Sequence, residues 1–465
     1  MASTTPSTVV IAAVSNHAHV SPLLPVARAL VDAGHRVRFL TGDRFRAQVE
    51  RTGAELVPLP ADAVFDERTM LTDDPDRAHR TGIAALRHDM LTYFVRRGAA
   101  QTRALDAVLD PTVGVLLFEP LFLGAYAVTT RPADRRPRTV AVGIVPSSLP
   151  HPGVPPFGPG LAPLAGLRGR VRDGALRLLL EEGLLRVVRT ESRAMVRASG
   201  DTPPPGFITA WPASADVVVQ LTVPGFEYPR PHLRVDHRLV GPASVPAPGS
   251  TTVDPADLPA WWGDLDGRAV VHVTQGTVSN EDVGQLLRPT IDGLADDDVL
   301  VVAATGGTPV DRLGPLPAHV RAAEMVPYAA LLPRTDVMVT NGGYGGVHWA
   351  LAHGVPLVVA GRTEDKAEVG ARVAWSGAGI RLRGNRPTPA EVADAVRAVR
   401  ADPRYRAAAR RLAAEIAASP GARGVVDAAL EGLAGRRWAP APGTAPRRPD
   451  RGVEHPDAGP VLHGA

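Results

Sequence analysis

The sequence predicts an α/β protein built from two doubly wound, parallel-sheet domains that face each other across a cleft. Short apolar runs rich in β-branched residues alternate with segments of helical periodicity, and the alternation restarts after a Pro/Ser/Gly stretch. A chain of 465 residues, 45% hydrophobic, is long enough for more than one buried core.

Val9–Val14 is a continuous apolar run, the pattern of a parallel strand buried on both faces. Ser15 to Ser21 is polar loop. Leu23, Leu24, Val26, Ala27, Leu30 and Val31 then recur at helical spacing, and Gly34 closes that helix. Val37–Thr41 is the next strand, which completes a βαβ unit with a right-handed crossover. Ala84–Leu109 reads as helix, Val113–Phe118 and Thr139–Ile144 as strands, and 146–163 as a Pro/Gly-rich loop. Ala175–Val196 is an amphipathic helix of leucines and arginines, and its acidic interruption at Glu181 and Glu182 speaks against a membrane-surface role.

Residues 241–259 are rich in Pro, Ser and Gly, and the βα pattern begins again after them. Strands are expected at Ala269–Thr274, Val299–Ala304, Val337–Thr340 and Val355–Ala360. Helices are expected at Val283–Leu294, Gly346–Ala352 and, broken near Pro420, from Pro389 to Leu433. This gives a first domain over 1–245, a linker over 246–264, a second domain over 265–434 and a disordered tail over 435–465.

Composition removes several classes of function. The absence of cysteine excludes a disulfide scaffold, Cys-ligated metals and thiol catalysis. Lys+Arg 51 against Asp+Glu 48 leaves a net charge of only +3, and no basic block with interleaved aromatics supports nucleic-acid binding. No signal peptide and no apolar stretch near the ~20 residues of a membrane span is visible, so the chain reads as a cytoplasmic protein.

Ligands of open parallel sheets bind beyond the carboxyl ends of the strands, so the loops there are where chemistry is sought. His19 lies in the first such loop and can accept a proton near neutral pH. Glu119 ends the strand Val113–Phe118, where a carboxylate can support an imidazole. Gly276 and Thr277 follow the first strand of the second domain and offer backbone N–H groups to a phosphate. The densest signal is Asn341-Gly342-Gly343-Tyr344-Gly345-Gly346 between a strand and a helix. Each glycine inside a helix costs ~1 kcal/mol, so four of them at a helix start fit a backbone that must lie against a diphosphate. Glu364, Asp365 and Lys366 follow another strand, where carboxylates can accept from sugar hydroxyls. Taken singly, His19 reads first as an ordinary loop histidine that caps the helix or meets solvent, Glu119, Gly276-Thr277 and Glu364-Asp365 read as readily as plain surface or turn residues, and only the glycine run favours a ligand over a tight turn. No HExxH, Asp-rich or DxD pattern is placed to hold a metal.

Together these pieces resemble the two-domain GT-B glycosyltransferases of family 1, more narrowly the bacterial antibiotic and macrolide group. The resemblance rests on Ala18-His19-Val20-Ser21-Pro22, Gly276-Thr277, Val326-Pro327-Tyr328, Asn341-Gly342-Gly343, Ala350-Leu351-Ala352-His353-Gly354-Val355-Pro356 and Asp365-Lys366. It implies an inverting transfer of a sugar from a UDP- or dTDP-sugar to a hydroxyl of an apolar secondary metabolite, without metal or other cofactor. By the resemblance His19 is the general base and Glu119 its carboxylate partner. Gly276, Thr277, Asn341, Gly342, Gly343, Gly345 and Gly346 hold the diphosphate, Val326 meets the base, and Glu364, Asp365 and Lys366 meet the donor sugar. The acceptor is expected between the 60–100 and 145–200 regions. Four positions depart from the family pattern: Glu119 stands where Asp is usual, Asn341 for His, Lys366 for Gln, and Met325 where an aromatic often stacks. The departures at Glu119, Asn341 and Lys366 motivate a rival reading, a catalytically silent GT-B auxiliary protein that activates a partner glycosyltransferase. A nucleotide-sugar epimerase on the same fold is a third.

Overall fold

The computed structural model describes residues 7–245, 253–276, 282–433 and 436–439. Its first sheet contains β1 (Thr8–Ala12), β2 (Arg36–Thr41), β3 (Glu55–Pro58), β4 (Val113–Phe118), β5 (Arg138–Gly143), β6 (Val217–Gln220) and β7 (Asp236–Leu239), in the order β3-β2-β1-β4-β5-β6-β7. Its second contains β8 (Val270–Thr274), β9 (Leu300–Ala304), β10 (Val320–Ala323), β11 (Val337–Thr340), β12 (Leu357–Val359) and β13 (Gly379–Arg381), in the order β10-β9-β8-β11-β12-β13. The pairings of both sheets are parallel. Strand order reverses beside β1 and beside β8, so each half has its switch point where β1 meets β4 and where β8 meets β11.

The central strands are buried along their whole length because both faces are covered. Val9 and Ile11 pack on one side with Val26 and Leu30 of α1 (Leu24–Asp32), while Val10 and Ala12 pack on the other with Leu105 and Phe118. This is the two-residue period of a strand read out as two cores. Strands β3, β6, β7, β10 and β13 are not among the sequence-predicted ones; each has only three or four residues, too few for a recognisable run. The predicted helix 84–109 forms with a π-helical stretch, Met90–Val95, in its middle.

Two assignments along the chain change. In the second half, α2 (Tyr344–Ala352) and α3 (Lys366–Ser376) follow β11 and β12. The last helix, α4 (Ala422–Leu430), instead returns to the first sheet, where Val425, Val426, Ala428 and Ala429 join Val9, Ile11 and Leu30 in one core. Position along the chain alone assigns this helix to the second domain, but its apolar face is buried in the core that holds Val26, Ala27 and Leu30 of α1. Within the expected disordered tail, Trp438 donates its indole N–H to the Val113 carbonyl at 2.6 Å and Ala439 N–H bonds Asp134 O at 3.0 Å. Residues 440–465, and the linker segment 246–252, lie outside the described residues. Among the described residues no helix is long and apolar enough to cross a membrane.

Candidate active site

His19 sits in a single helical turn, His17–Val20, directly after β1. Asn16 caps the turn by accepting from the Ala18 N–H at 2.8 Å, and the His17 N–H bonds Glu67 Oε1 at 3.1 Å. Glu119, at the end of β4, is fully buried. Its Oε1 accepts from the Val14 N–H at 3.2 Å and its Oε2 from the Leu121 N–H at 2.7 Å. Two backbone donors thus satisfy a charge that burial would otherwise penalise.

His19 Nδ1 lies 3.1 Å from Glu119 Oε2. The distance is that of an ion pair, yet the geometry falls short of a formed hydrogen bond. The pair is an electrostatic contact between a mostly buried imidazole and a buried carboxylate. With Nδ1 turned to Glu119, Nε2 is the nitrogen left to face a ligand. Burial alone would lower the His19 pKa. Glu119 foremost, then Asp365 and Glu364, overcome it and leave the pKa above 6.5. Asp365 and Glu364 belong to the second half, so the loop after β12 lies within electrostatic reach of the imidazole.

The loops of the second half converge on one another. A Cβ on Gly276 would stand 3.8 Å from the Asn341 side-chain amide, which donates to the Gln275 carbonyl. Gly342 (φ +93°) turns the chain after β11, and its N–H bonds Thr340 Oγ1 at 3.2 Å. Gly343 is the N-cap of α2 and supplies no side-chain cap, so the first N–H groups of this nine-residue helix are free to meet an anion. A Cβ on Gly343 would approach only Asn341 Oδ1, at 4.0 Å, and one on Gly345 would meet no atom within 4 Å. Protein packing does not demand glycine at either place.

Glu364 has φ +56°, a strained conformation for a residue with a Cβ. Its Oε2 pairs with Lys366 Nζ at 2.7 Å. Asp365 precedes α3, and burial, with Glu364 adding to it, raises its pKa to about 6. Val326 is buried against Ala304 and Leu331 at the carboxyl ends of β9 and β10, and Met325 beside it is exposed. Thr277 lies outside the described residues. No trio of His, Asp or Glu among the described residues is arranged to hold a metal.

Residues 288–432 match the family described as "Erythromycin biosynthesis protein CIII-like, C-terminal domain". The chain is 42% identical over 432 residues to 4'-demethylrebeccamycin synthase of Lentzea aerocolonigenes, covering 91% of this chain and 99% of that protein. The chain belongs to the antibiotic-type GT-B glycosyltransferases. It is also 33% identical over 449 residues to UDP-glycosyltransferase 2 of Phaeomoniella chlamydospora, covering 92% and 96% of the two chains. Its fold matches that of the calicheamicin glycosyltransferase CalG4 with a TM-score of 0.66 at 22% identity, over 93% of this chain and 99% of the other.

Two features of this glycosyltransferase escape sequence reasoning. The first is an aromatic wall. The Phe94 ring lies 6.3 Å from the His19 ring and packs edge-on against Phe65, 5.7 Å away. Phe94 belongs to the π-helical stretch, a distortion that recurs at functional sites. The second is a pair of polar pins between the halves. Gln220 Nε2 lies 3.2 Å from Tyr344 Oη, and Thr222 Oγ1 lies 2.8 Å from His348 Nε2. His348 donates from Nδ1 to the Tyr344 carbonyl at 2.9 Å, and burial lowers its pKa to about 4, so it is neutral. In the sequence alone His348 is a lone signal that reads as a helix-surface or packing histidine. The signal available was a polar pair, Gln220 and Thr222, closing an apolar strand.

Proposed function

We propose that this glycosyltransferase carries out an inverting transfer from a UDP- or dTDP-sugar to a hydroxyl of an apolar small molecule. His19 Nε2 removes the hydroxyl proton while the oxygen attacks the anomeric carbon from the face opposite the diphosphate. The new C–O bond forms as the bond to the diphosphate breaks, and that electron pair departs with the nucleotide. General-base help of this kind is worth about 10²–10⁴-fold, and Glu119 stabilises the imidazolium that forms. The free N–H groups and dipole of α2 receive the growing negative charge, with Asn341 and the glycines leaving room for it. Glu364, Asp365 and Lys366 bind the sugar between the two, Gly276 and Thr277 assist at the diphosphate, and Val326 meets the base.

The observation that carries this reading is the juxtaposition of the His19–Glu119 pair with the acidic loop of the opposite half, within electrostatic reach across one cleft. The Phe65–Phe94 wall beside His19 supports an apolar, ring-bearing acceptor. The 42% relationship to an enzyme named for 4'-demethylrebeccamycin supports an acceptor of the secondary-metabolite kind.

The test is a panel of UDP- and dTDP-sugars with planar hydroxylated acceptors, read by mass spectrometry and by the anomeric coupling constant of the product. Inversion is expected. A product that keeps the donor's anomeric configuration, or a His19→Ala enzyme as active as the parent, defeats the mechanism.

A further inference from the structure

The Pro/Gly-rich loop 146–163 of the first half is fastened to α3 of the second by a buried carboxylate that the transfer chemistry does not use. Glu368, one turn into α3, is buried. Its Oε1 accepts from the Gly158 and Gly160 N–H groups, each at 2.8 Å. Its Oε2 accepts from Arg372 at 2.9 Å, and Arg372 reaches on to Glu227 Oε1 at 2.7 Å, back in the first half. Glu227 holds the other end of the same loop, accepting from the Ser147 N–H at 2.9 Å. Gly160 (φ +61°) is seated so tightly that a Cβ there would lie 2.3 Å from the Ala367 carbonyl oxygen. The Glu368 and Ala367 contacts fall within two residues of Lys366, and a Cβ on Gly361 would stand 3.1 Å from the Lys366 Cβ and 1.9 Å from the Asn341 carbonyl oxygen. A run of close contacts therefore leads from the loop after β11, through the start of α3, to the loop that follows β5.

We propose that Glu368 is a positioning residue: by gripping the Gly158–Gly160 turn it sets the place of the acceptor-side loop relative to the donor half. The proposal rests on the reading that this cleft transfers a sugar. It assigns Glu368 no contact with either substrate. Its loss leaves nucleotide binding intact while acceptor use fails, and donor that meets a misplaced acceptor is lost to water.

The experiment compares the parent enzyme with Glu368→Gln, Glu368→Ala and Gly160→Ala. It reads UDP and dTDP affinity by calorimetry, acceptor KM and kcat, glycoside formed per nucleotide released, and amide exchange over 155–162. The expected order of acceptor use is parent, then Gln, then Ala, because the amide oxygen of Gln still accepts from the two glycines but no longer pairs fully with Arg372. Glu368→Ala should raise acceptor KM about tenfold or more, lower the glycoside-to-nucleotide ratio, and speed exchange at 155–162, with nucleotide affinity within twofold of the parent. Glu368→Ala leaves buried Arg372 with Glu227 as its one remaining carboxylate partner; where that variant does not purify, Gly160→Ala carries the test, because it removes no charge and disturbs the same contact from the other side. Parental acceptor KM and product ratio in Gly160→Ala overturn the proposal, as does a loss of nucleotide affinity in step with transfer. A parent enzyme that forms no glycoside from any donor defeats the transfer reading instead, and exchange at 155–162 still reports whether the grip exists.

Discussion

A Cβ on Gly361 would stand 1.9 Å from the carbonyl oxygen of Asn341. The loop after β12 therefore rests backbone to backbone on the loop after β11, and only glycine allows the approach. Gly361→Ala must push them apart. Overpacking of this kind costs about 1–3 kcal/mol. We expect a lower melting temperature and at least tenfold weaker nucleotide binding, measured by calorimetry. Gly343→Ala, whose new methyl would meet only Asn341 Oδ1 at 4.0 Å, is the control for stability. Parental nucleotide affinity in Gly361→Ala would detach the loop after β12 from the donor site.

The His19–Glu119 pair makes a prediction about pH. As the proposed base, His19 works only when unprotonated, and its pKa lies above 6.5 because Glu119 and the opposite acids outweigh burial. Transfer should therefore fall as pH drops through that raised value. Glu119→Gln keeps the shape and removes the leading charge that raises it. The acid limb of the kcat/KM profile should then move to lower pH, while the plateau falls about 10-fold or more as the imidazolium loses its counter-charge. An unmoved acid limb would mean that some other group titrates there.

Much of this site was legible in the chain because its parts are local. A strand, a loop of fixed chemistry and a helix start lie within a dozen residues, as in Val337–Gly346, and the period of each segment reveals the join. His19, Glu119 and Asn341 each follow a strand that the apolar pattern marks. What was not legible depends on distance along the chain. Glu368 meets Gly160 across 208 positions and Arg372 meets Glu227 across 145, and no periodicity relates them. The return of α4 to the first core is hidden for the same reason, since its face is as apolar as any helix of the second half. The π-helical stretch that turns Phe94 toward His19 is hidden too, because one extra residue per turn leaves the helical pattern nearly unchanged.

Asp365 should make the protein less stable at neutral pH than it could be. Its folded pKa, about 6, is raised from 3.8 chiefly by burial and next by Glu364. The folded state thus binds the proton more tightly than the unfolded chain, and stability declines as pH rises between these values. Asp365→Asn removes the penalty. Allowing for partial exposure, the gain is about 1–2 kcal/mol at pH 7.5 and vanishes near pH 3.5. Denaturant unfolding at the two pH values checks it. If Asp365 binds the donor sugar as proposed, transfer should fall in the same variant even as stability rises.

The uncapped start of α2 predicts how the protein responds to nucleotide without metal. UDP or dTDP at 100 times its dissociation constant stabilises a protein by about 2.7 kcal/mol, visible as a thermal shift. If the helix end and its glycines supply the counter-charge, the shift should survive EDTA. Gly345→Val should leave the melting temperature of the free protein nearly unchanged, because a Cβ there meets no protein atom within 4 Å. The same branched side chain fills the space before the free N–H groups, so the shift with nucleotide should disappear. A variant that still responds like the parent would move the diphosphate away from α2. A shift abolished by EDTA in the parent would show that the helix terminus alone does not balance the charge.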